Sequence, residues 1–98
     1  MPVKPLWEEQ EDVLIDEEIG EDLPVHIVVW NDDVNTFEWV THCFIEVLNH
    51  SYEQADQLAL IIHTKGKAIV KTGPKSDLVP LCEELLDRGL SAEIQGGD

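Results

Sequence analysis

An apolar strand, an acidic turn and the beginning of a helix follow one another in residues 25–38, VHIVVWNDDVNTFE. Its first six side chains are mostly β-branched or aromatic and point alternately to two faces, which is typical of a β-strand that is partly covered on both faces or central in its sheet. Asn31, Asp32 and Asp33 end the strand, because Asn and Asp side chains compete for nearby backbone groups and favour turns. One amide and two carboxylates at a strand end suit a ligand with positive charge and hydrogen-bond donors.

The residues after this turn predict a helical hairpin. Asn35 and Glu38 have the spacing of a capping box, so Asn35 is the expected N-cap of a helix over about 36–49. Ser51 begins a second capping box, and Gly66 is the expected left-handed C-cap of the helix that follows. Apolar side chains recur at helical spacing in both segments, which predicts one buried face on each helix. Two helices joined by so short a link pack antiparallel.

The second half of the chain predicts two more strands around a third helix. A strand is expected at 67–72 and a turn at 73–74. The third helix is expected to start at 76–77, with a proline in its first turn, and to end at Gly89. Alternating apolar residues predict a last strand over 90–95. The order β-α-α-β-α-β predicts an α+β domain in which a three-stranded antiparallel sheet packs on three helices.

Length and charge limit the possible partners. The chain has 98 residues, 43% of them hydrophobic, which suits one small domain. Its net charge of −15 repels nucleic acid and anionic membranes, so we expect basic or neutral protein partners. No signal peptide or membrane span is apparent. Cys43 and Cys82 lack metal-binding or disulfide spacing, so they are predicted to pack within the helices of a protein in a reducing cytoplasm. We also expect a monomer without cofactors.

The acidic residues are concentrated at the N-terminus. Residues 1–22 contain nine acids and one lysine, with only scattered apolar side chains. Such a segment buries too little apolar surface to offset the entropy of ordering, so we predict a disordered tail at 1–22 and a folded domain at 23–98. Two interpretations of the tail remain open. It is either a solubilising leader or a docking arm that uses Trp7 or residues 13–15.

Two segments of the folded part resemble the ClpS family, the adaptors of the bacterial Clp protease that recognise N-end-rule substrates. One is the turn at 31–33 after the Val-rich strand, and the other is 57–68, QLALIIHTKGKA. They occur in the β-α-α-β order expected of that family. The resemblance implies an adaptor without enzymatic activity. Its implied partners are N-terminal peptides of substrate proteins and the N-terminal domain of a Clp-type AAA+ unfoldase.

The resemblance also implies a binding site for a free protein N-terminus that begins with Phe, Leu, Tyr or Trp. Asn31, Asp32 and His63 would hold its α-ammonium through an amide oxygen, a carboxylate and an unprotonated ring nitrogen. Asn35 would contact the ligand backbone as a donor. The implied hydrophobic pocket for the first side chain is walled by Phe37, Val40, Ala59, Ile62 and Leu90.

Three positions or segments depart from the family pattern. Phe37 and Ala59 stand where methionine is common, which predicts that large residues are accepted in an altered order of preference. Residues 71–77 predict a shorter loop than that of several members, in which the loop carries residues implicated in docking to the unfoldase. The unfoldase-docking surface is therefore expected to differ more than the peptide site.

Other interpretations of the same residues remain. The C-terminal domain of the bacterial ribosomal stalk protein has a similar fold, so a protein interaction module without N-terminal peptide binding is the main alternative. A metal-dependent enzyme built on Asp32, Asp33 and His63 is disfavoured, because no second histidine lies at ligand spacing. The remaining histidines are assigned to the surface without a role: His26, His42 and His50.

Overall fold

The structure is a computed structural model that describes residues 23–96. It contains strands β1 (Pro24–Trp30), β2 (Lys67–Pro74) and β3 (Ser91–Gly96), and helices α1 (Phe37–Leu48), α2 (Tyr52–Lys65) and α3 (Lys75–Asp87). The order along the chain is β1-α1-α2-β2-α3-β3, which confirms the predicted α+β class. The predicted disordered tail lies outside the described residues. None of the described helices is long and apolar enough to span a bilayer.

The three strands form one antiparallel sheet in the order β2-β1-β3, with β1 in the centre. Alternate side chains of β1 face the helices, and Val25, Ile27 and Val29 are almost completely buried there. On the other face, Val28 is buried as well. Strand β1 has apolar residues at consecutive positions because it is the central strand, which was one of the two arrangements predicted for it.

The pairing of β1 with β2 contains a β-bulge. Ile27 pairs with Lys71 and Val28 pairs with Ile69, so Val70 is the extra residue. His50 Nε2 lies 2.7 Å from the Val70 carbonyl oxygen and gives this backbone group a hydrogen-bond partner. The assignment of His50 to the surface without a role was therefore wrong.

The helices cover one face of the sheet and supply most of the core. Phe44 of α1 and Leu78 and Leu85 of α3 are among its largest fully buried side chains. Cys43 and Cys82 are also buried, and neither forms a disulfide. Burial raises the pKa of both thiols, so they remain protonated and pack as small apolar groups. Their prediction as packing residues is confirmed.

Helix α1 begins one residue later than predicted. Thr36 is its N-cap, because the Thr36 Oγ1 accepts the backbone N–H of Trp39 at 3.0 Å. Asn35, the predicted N-cap, uses its side chain elsewhere. Two capping residues stand next to each other at this point of the sequence, and local spacing alone selected the wrong one.

The caps predicted for α2 are confirmed. Ser51 Oγ accepts the backbone N–H of Gln54 at 3.1 Å, and Gly66 ends the helix with a φ of 99°. The Gly66 N–H donates to the Ile62 carbonyl at 2.9 Å. Between the two helices, Asn49 ends α1 in the left-handed conformation with a φ of 61°.

The predicted turn at 73–74 and the predicted loop at 71–77 are not present. Strand β2 pairs with β1 as far as Pro74, and α3 starts at Lys75 directly afterwards. Because β2 is an edge strand, its terminal proline removes no donor that the sheet needs. The earlier start places Pro80 inside α3 rather than in its first turn. The last strand begins at Ser91, so residue 90 lies before it.

Candidate functional site

A cavity of about 270 Å³ opens between the turn after β1, the start of α1 and the C-terminal half of α2. Its lining consists of Asn31, Asp32, Asp33, Asn35, Phe37, Val40, Ala59, Ile62 and His63. The structure thus brings together the three residues predicted for the ammonium, the predicted backbone contact and four of the five residues predicted for the pocket.

Leu90 is the exception, and its placement in the pocket wall was wrong. Its side chain is 4% exposed and belongs to the core cluster. The Leu90 N–H donates to the Leu85 carbonyl at 3.1 Å, which holds Leu90 against the end of α3. Ala92 and Ile94, which share the apolar alternation of Leu90, pack against the same core. The place of Leu90 in the pocket wall was implied by the resemblance and not by this alternation.

A backbone hydrogen bond between two distant segments places His63 near the turn after β1. The Asn31 N–H donates to the Gly66 carbonyl oxygen at 2.9 Å. This hydrogen bond joins the end of β1 to the C-cap of α2. His63 lies in the last turn of α2, so the same contact brings it to the cavity.

Asp32 organises the turn. Its Oδ1 accepts the backbone N–H groups of Val34 and Asn35, both at 2.9 Å. Its Oδ2 accepts the side-chain amide of Asn35 at 2.9 Å and the hydroxyl of Ser91 at 3.3 Å. These hydrogen bonds, led by the one from the Asn35 backbone, hold the pKa of Asp32 below its usual range although burial opposes them. The carboxylate is therefore ionised at neutral pH.

Asn35 is a bridge within the protein. Besides binding Asp32, its Nδ2 donates to the Gly89 carbonyl oxygen at 2.8 Å. Both N–H groups of the side-chain amide therefore face acceptors of the protein. No side-chain donor of Asn35 is left for the backbone of a ligand, contrary to the expectation that it donates there.

The 88–91 connection between α3 and β3 is itself anchored to α1. Trp39 Nε1 donates to the Arg88 carbonyl oxygen at 3.0 Å. The Arg88 guanidinium binds Glu46 of α1 at 2.7 Å and Glu84 of α3 at 3.1 Å. The turn after β1 is thus supported by a connection that begins more than fifty residues later in the chain. Local patterns in the sequence contain no signal for such contacts.

Asp33 is the cavity residue that sequence reasoning left out of the ammonium site. It is exposed and lines the cavity beside Asp32. Its position next to Asn31 and Asp32 was the available signal. Within residues 23–96, no three His, Cys, Asp or Glu side chains are grouped as metal ligands would be. The two aspartates and His63 therefore share a cavity without forming a metal-binding cluster.

The cavity has two chemically different ends. Its polar end consists of Asn31, the two adjacent aspartates and His63. Its apolar end is closed by Ala59 and Ile62, which are each 3% exposed, and by the side chains of α1. Pockets for drug-sized ligands usually measure about 300–1,000 Å³, so this smaller cavity suits one side chain and its polar head group.

The protein is thus a small α+β domain with one cleft that is acidic at one end and apolar at the other. Comparison with known proteins identifies its family. Residues 21–93 match the family model described as ATP-dependent Clp protease adaptor protein ClpS. The ATP-dependent Clp protease adapter protein ClpS of Corynebacterium diphtheriae is 33% identical over 87 residues, which cover 89% of this chain and 77% of the relative. That of Corynebacterium efficiens is 38% identical over 76 residues, covering 78% and 75%.

A solved structure shares the fold. The structure of Agrobacterium tumefaciens ClpS2 bound to L-phenylalaninamide matches with a TM-score of 0.71 and 20% sequence identity, over 76% of this chain and 96% of that chain. At this sequence identity the match shows that the two proteins share the fold, and the family model and the relatives show the family. The chain belongs to the ClpS family, the adaptor proteins of the ATP-dependent Clp protease.

Proposed function

We propose that the cavity binds the free N-terminus of a polypeptide that begins with Phe, Leu, Tyr or Trp, and that the protein delivers such polypeptides to a Clp-type AAA+ unfoldase. The main support for this proposal is that carboxylate and amide acceptors and an apolar recess line the same cavity. Agrobacterium tumefaciens ClpS2 is bound to L-phenylalaninamide. That ligand combines an α-amine with a large apolar side chain, the two features that this cleft suits.

In this proposal, the polar end holds the α-ammonium. Asn31 accepts through its amide oxygen, His63 accepts through an unprotonated ring nitrogen, and Asp32 supplies negative charge. Asp32 already accepts hydrogen bonds from its own turn and from Ser91. We therefore add Asp33 to the proposed site as a second carboxylate beside the ammonium.

The apolar end takes the first side chain, and both ends are needed for useful affinity. Hydrogen bonds to a charged group contribute about 1.5–3 kcal/mol each, and burial of a Leu or Phe side chain about 1.5–3 kcal/mol. Association costs at least about 4 kcal/mol. Neither end alone reaches micromolar affinity. At the upper end of these ranges, three charged contacts and one buried side chain total about −12 kcal/mol, which leaves about −8 kcal/mol after the association cost and corresponds to micromolar affinity.

Delivery requires a second surface, which we propose binds the N-terminal domain of the unfoldase. Residues 1–22 are proposed as the delivery arm, because their strong acidity sets them apart from the rest of the chain. A degradation assay with the unfoldase and its protease tests this role. Variants with residues 1–22 replaced by a Gly/Ser linker of equal length should still bind peptides but deliver them slowly. Loss of peptide binding would show that this segment belongs to the binding site.

Titration with four labelled peptides tests the binding proposal. Peptides that start with Phe or Leu should bind with micromolar affinity. The Ala-initiated peptide should bind at least tenfold more weakly, because about 1.5–3 kcal/mol of side-chain burial is lost. Acetylation of the Phe peptide removes the positive charge of its N-terminus and two hydrogen-bond donors. The acetylated peptide should therefore show no measurable binding. Equal affinity for all four peptides would overturn the proposal and favour the ribosomal-stalk-like interaction module.

A further inference from the structure

A second cavity, of about 340 Å³, lies beside the first along the groove between α1 and α2. Its lining consists of Phe37, Glu38, Thr41, His42, Ile45, Tyr52 and Asp56. Phe37 also lines the first cavity, so its ring is a wall that the two cavities share. Phe37 is 37% exposed, so a ligand can contact it.

The two cavities follow one another along the helical hairpin. The first is closed by the C-terminal half of α2, and the second by Tyr52 and Asp56 of its N-terminal half. Along α1 the second cavity extends from Phe37 to Ile45, which is about 12 Å of helix. An extended peptide covers about 3.3 Å per residue. Because Phe37 borders both cavities, a peptide whose first residue fills the first cavity and whose chain then follows α1 reaches the second cavity with its residues two to four.

The lining of the second cavity combines negative charge with apolar surface. Glu38 and Asp56 provide carboxylates from α1 and α2. Ile45 is partly buried, whereas the Tyr52 side chain is 64% exposed and presents its ring to the groove. Among the ion pairs formed within residues 23–96, none includes Glu38 or Asp56.

The other polar residues of this cavity have partners in the protein. Thr41 Oγ1 donates to the Phe37 carbonyl at 3.0 Å, which turns the hydroxyl back to its own helix. The His42 ring stacks on Trp39 with 5.5 Å between ring centroids and lies 3.2 Å from Glu46. Among the described residues, the two carboxylates are therefore polar groups of this cavity for which no such partner is seen.

We infer that the second cavity is a subsite for a lysine or arginine side chain at position two, three or four of the same polypeptide. The aliphatic stem of such a residue packs on Ile45 and Tyr52, and its cationic head pairs with Glu38 and Asp56. The Tyr52 ring adds a cation–π contact. This inference deepens the proposed function and rests on it, because the first cavity must seat the N-terminus.

A peptide series tests the subsite. The reference peptide is Phe followed by alanines, and three others carry a single arginine at position two, three or four. At physiological salt, fluorescence anisotropy should show at least one arginine peptide binding about fivefold more tightly than the reference, a gain of about 1 kcal/mol. Citrulline at the same position, which keeps the shape but loses the charge, should remove the gain.

Two charge-matched double variants separate the subsite from the general acidity of the protein. In Glu38→Gln/Asp56→Asn, the arginine peptide should lose most of its advantage over the reference. Glu83→Gln/Asp87→Asn removes two exposed charges of α3 instead and should keep that advantage. Equal losses in both variants would mean that long-range attraction causes the preference, and the subsite would be refuted.

The inference and the proposed function fail in different ways. If every Phe peptide binds and acetylation abolishes binding, but no arginine position gives a gain, only the subsite is overturned. If no Phe peptide binds, the proposed function is overturned and the subsite with it. Peptides with glutamate at the favoured position should bind more weakly than the reference, and a gain there would contradict the charge assigned to this cavity.

Discussion

The polar and apolar ends of the first cavity are built in different ways. At the polar end, Asn31 binds Gly66, Asp32 binds Ser91, and Asn35 binds the connection after α3. Each of these hydrogen bonds joins segments that are far apart in the chain. The apolar end is formed by side chains of two neighbouring helices, where helical spacing alone places the residues on one face.

This difference separates residues whose substitution disturbs the binding site as a whole from residues whose substitution changes only the apolar recess. A change at the polar end disturbs several hydrogen bonds at once, because Asp32 and Asn35 share partners. A change at Phe37 or Ala59 alters the size of the recess and leaves the backbone in place. We therefore expect binding of the ammonium to be sensitive to nearly every substitution of the turn, and preference for the side chain to be adjustable one residue at a time.

The largest effect is expected from Asp32→Ala. This change removes one charge and the acceptor of the hydrogen bonds that shape the turn. Affinity for a Phe-initiated peptide should fall by about 1.5–3 kcal/mol, or roughly 10- to 150-fold, in anisotropy titrations.

Asp33→Ala is the matched control for Asp32→Ala. It removes a charge from the same cavity and keeps the hydrogen bonds of the turn, so it should cost less affinity and leave the melting temperature unchanged. An Asp32→Ala protein with wild-type affinity would show that the polar end does not hold the ammonium.

Ala59→Met probes the apolar end. Ala59 is 3% exposed and lines the cavity, so a longer side chain must occupy part of the recess. Overfilling a packed space costs about 1–3 kcal/mol, and a large ligand side chain meets most of that cost. Trp-initiated peptides should therefore weaken about tenfold and Leu-initiated peptides much less, as measured by competition titration.

The neighbouring Leu60→Met is the control for Ala59→Met. Leu60 is 51% exposed and does not line the cavity, so neither peptide should change in affinity. If Ala59→Met weakened Leu more than Trp, the wall would be wrongly assigned.

Gly89→Ala tests the support of the turn. Gly89 has a φ of 94°, which an L-residue adopts at a cost of about 1 kcal/mol. The melting temperature should fall by about 4–8 °C. The added Cβ would lie 3.8 Å from Asn35 Oδ1, an ordinary contact, so peptide affinity should change little.

Gly73→Ala provides the comparison for Gly89→Ala. Its φ is not positive, and its added Cβ would lie 3.7 Å from a Leu78 side-chain atom. Its melting temperature should stay near that of the wild type. Equal destabilisation by both substitutions would argue against strain at Gly89 as the cause.

The smallest expected effect concerns pH. The hydrogen bonds of the turn lower the pKa of Asp32 in the folded protein relative to the unfolded chain. The folded state therefore gains stability from this group above the usual aspartate pKa, and this gain is lost as the pH falls through the lowered pKa. Urea unfolding should show Asp32→Asn less stable than the wild type at neutral pH, with the difference shrinking as the pH falls below the usual aspartate pKa and through the lowered one. A difference that does not change with pH would contradict this origin.

Sequence patterns determined the elements of this protein, and the resemblance to the ClpS family named eight residues that the structure brings together in one cavity. The apolar alternation of β1, the faces of the helices and the caps at Ser51 and Gly66 follow from interactions between residues within one turn or strand. The N-cap of α1 was missed because Asn35 and Thr36 are both capping residues. Asn35 gains more by bridging Asp32 and Gly89, which no local pattern reveals.

How the strands, helices and connections pack against one another was decided by the tertiary structure alone. It placed Leu90 in the core, replaced the expected loop before α3 with a direct strand–helix junction and anchored the turn through the 88–91 connection. The second cavity beside Phe37 also exists only once α1 and α2 are packed. Local propensity depends on neighbours in the chain, whereas cavities and hydrogen bonds between distant segments depend on how the elements pack, which periodicity does not encode.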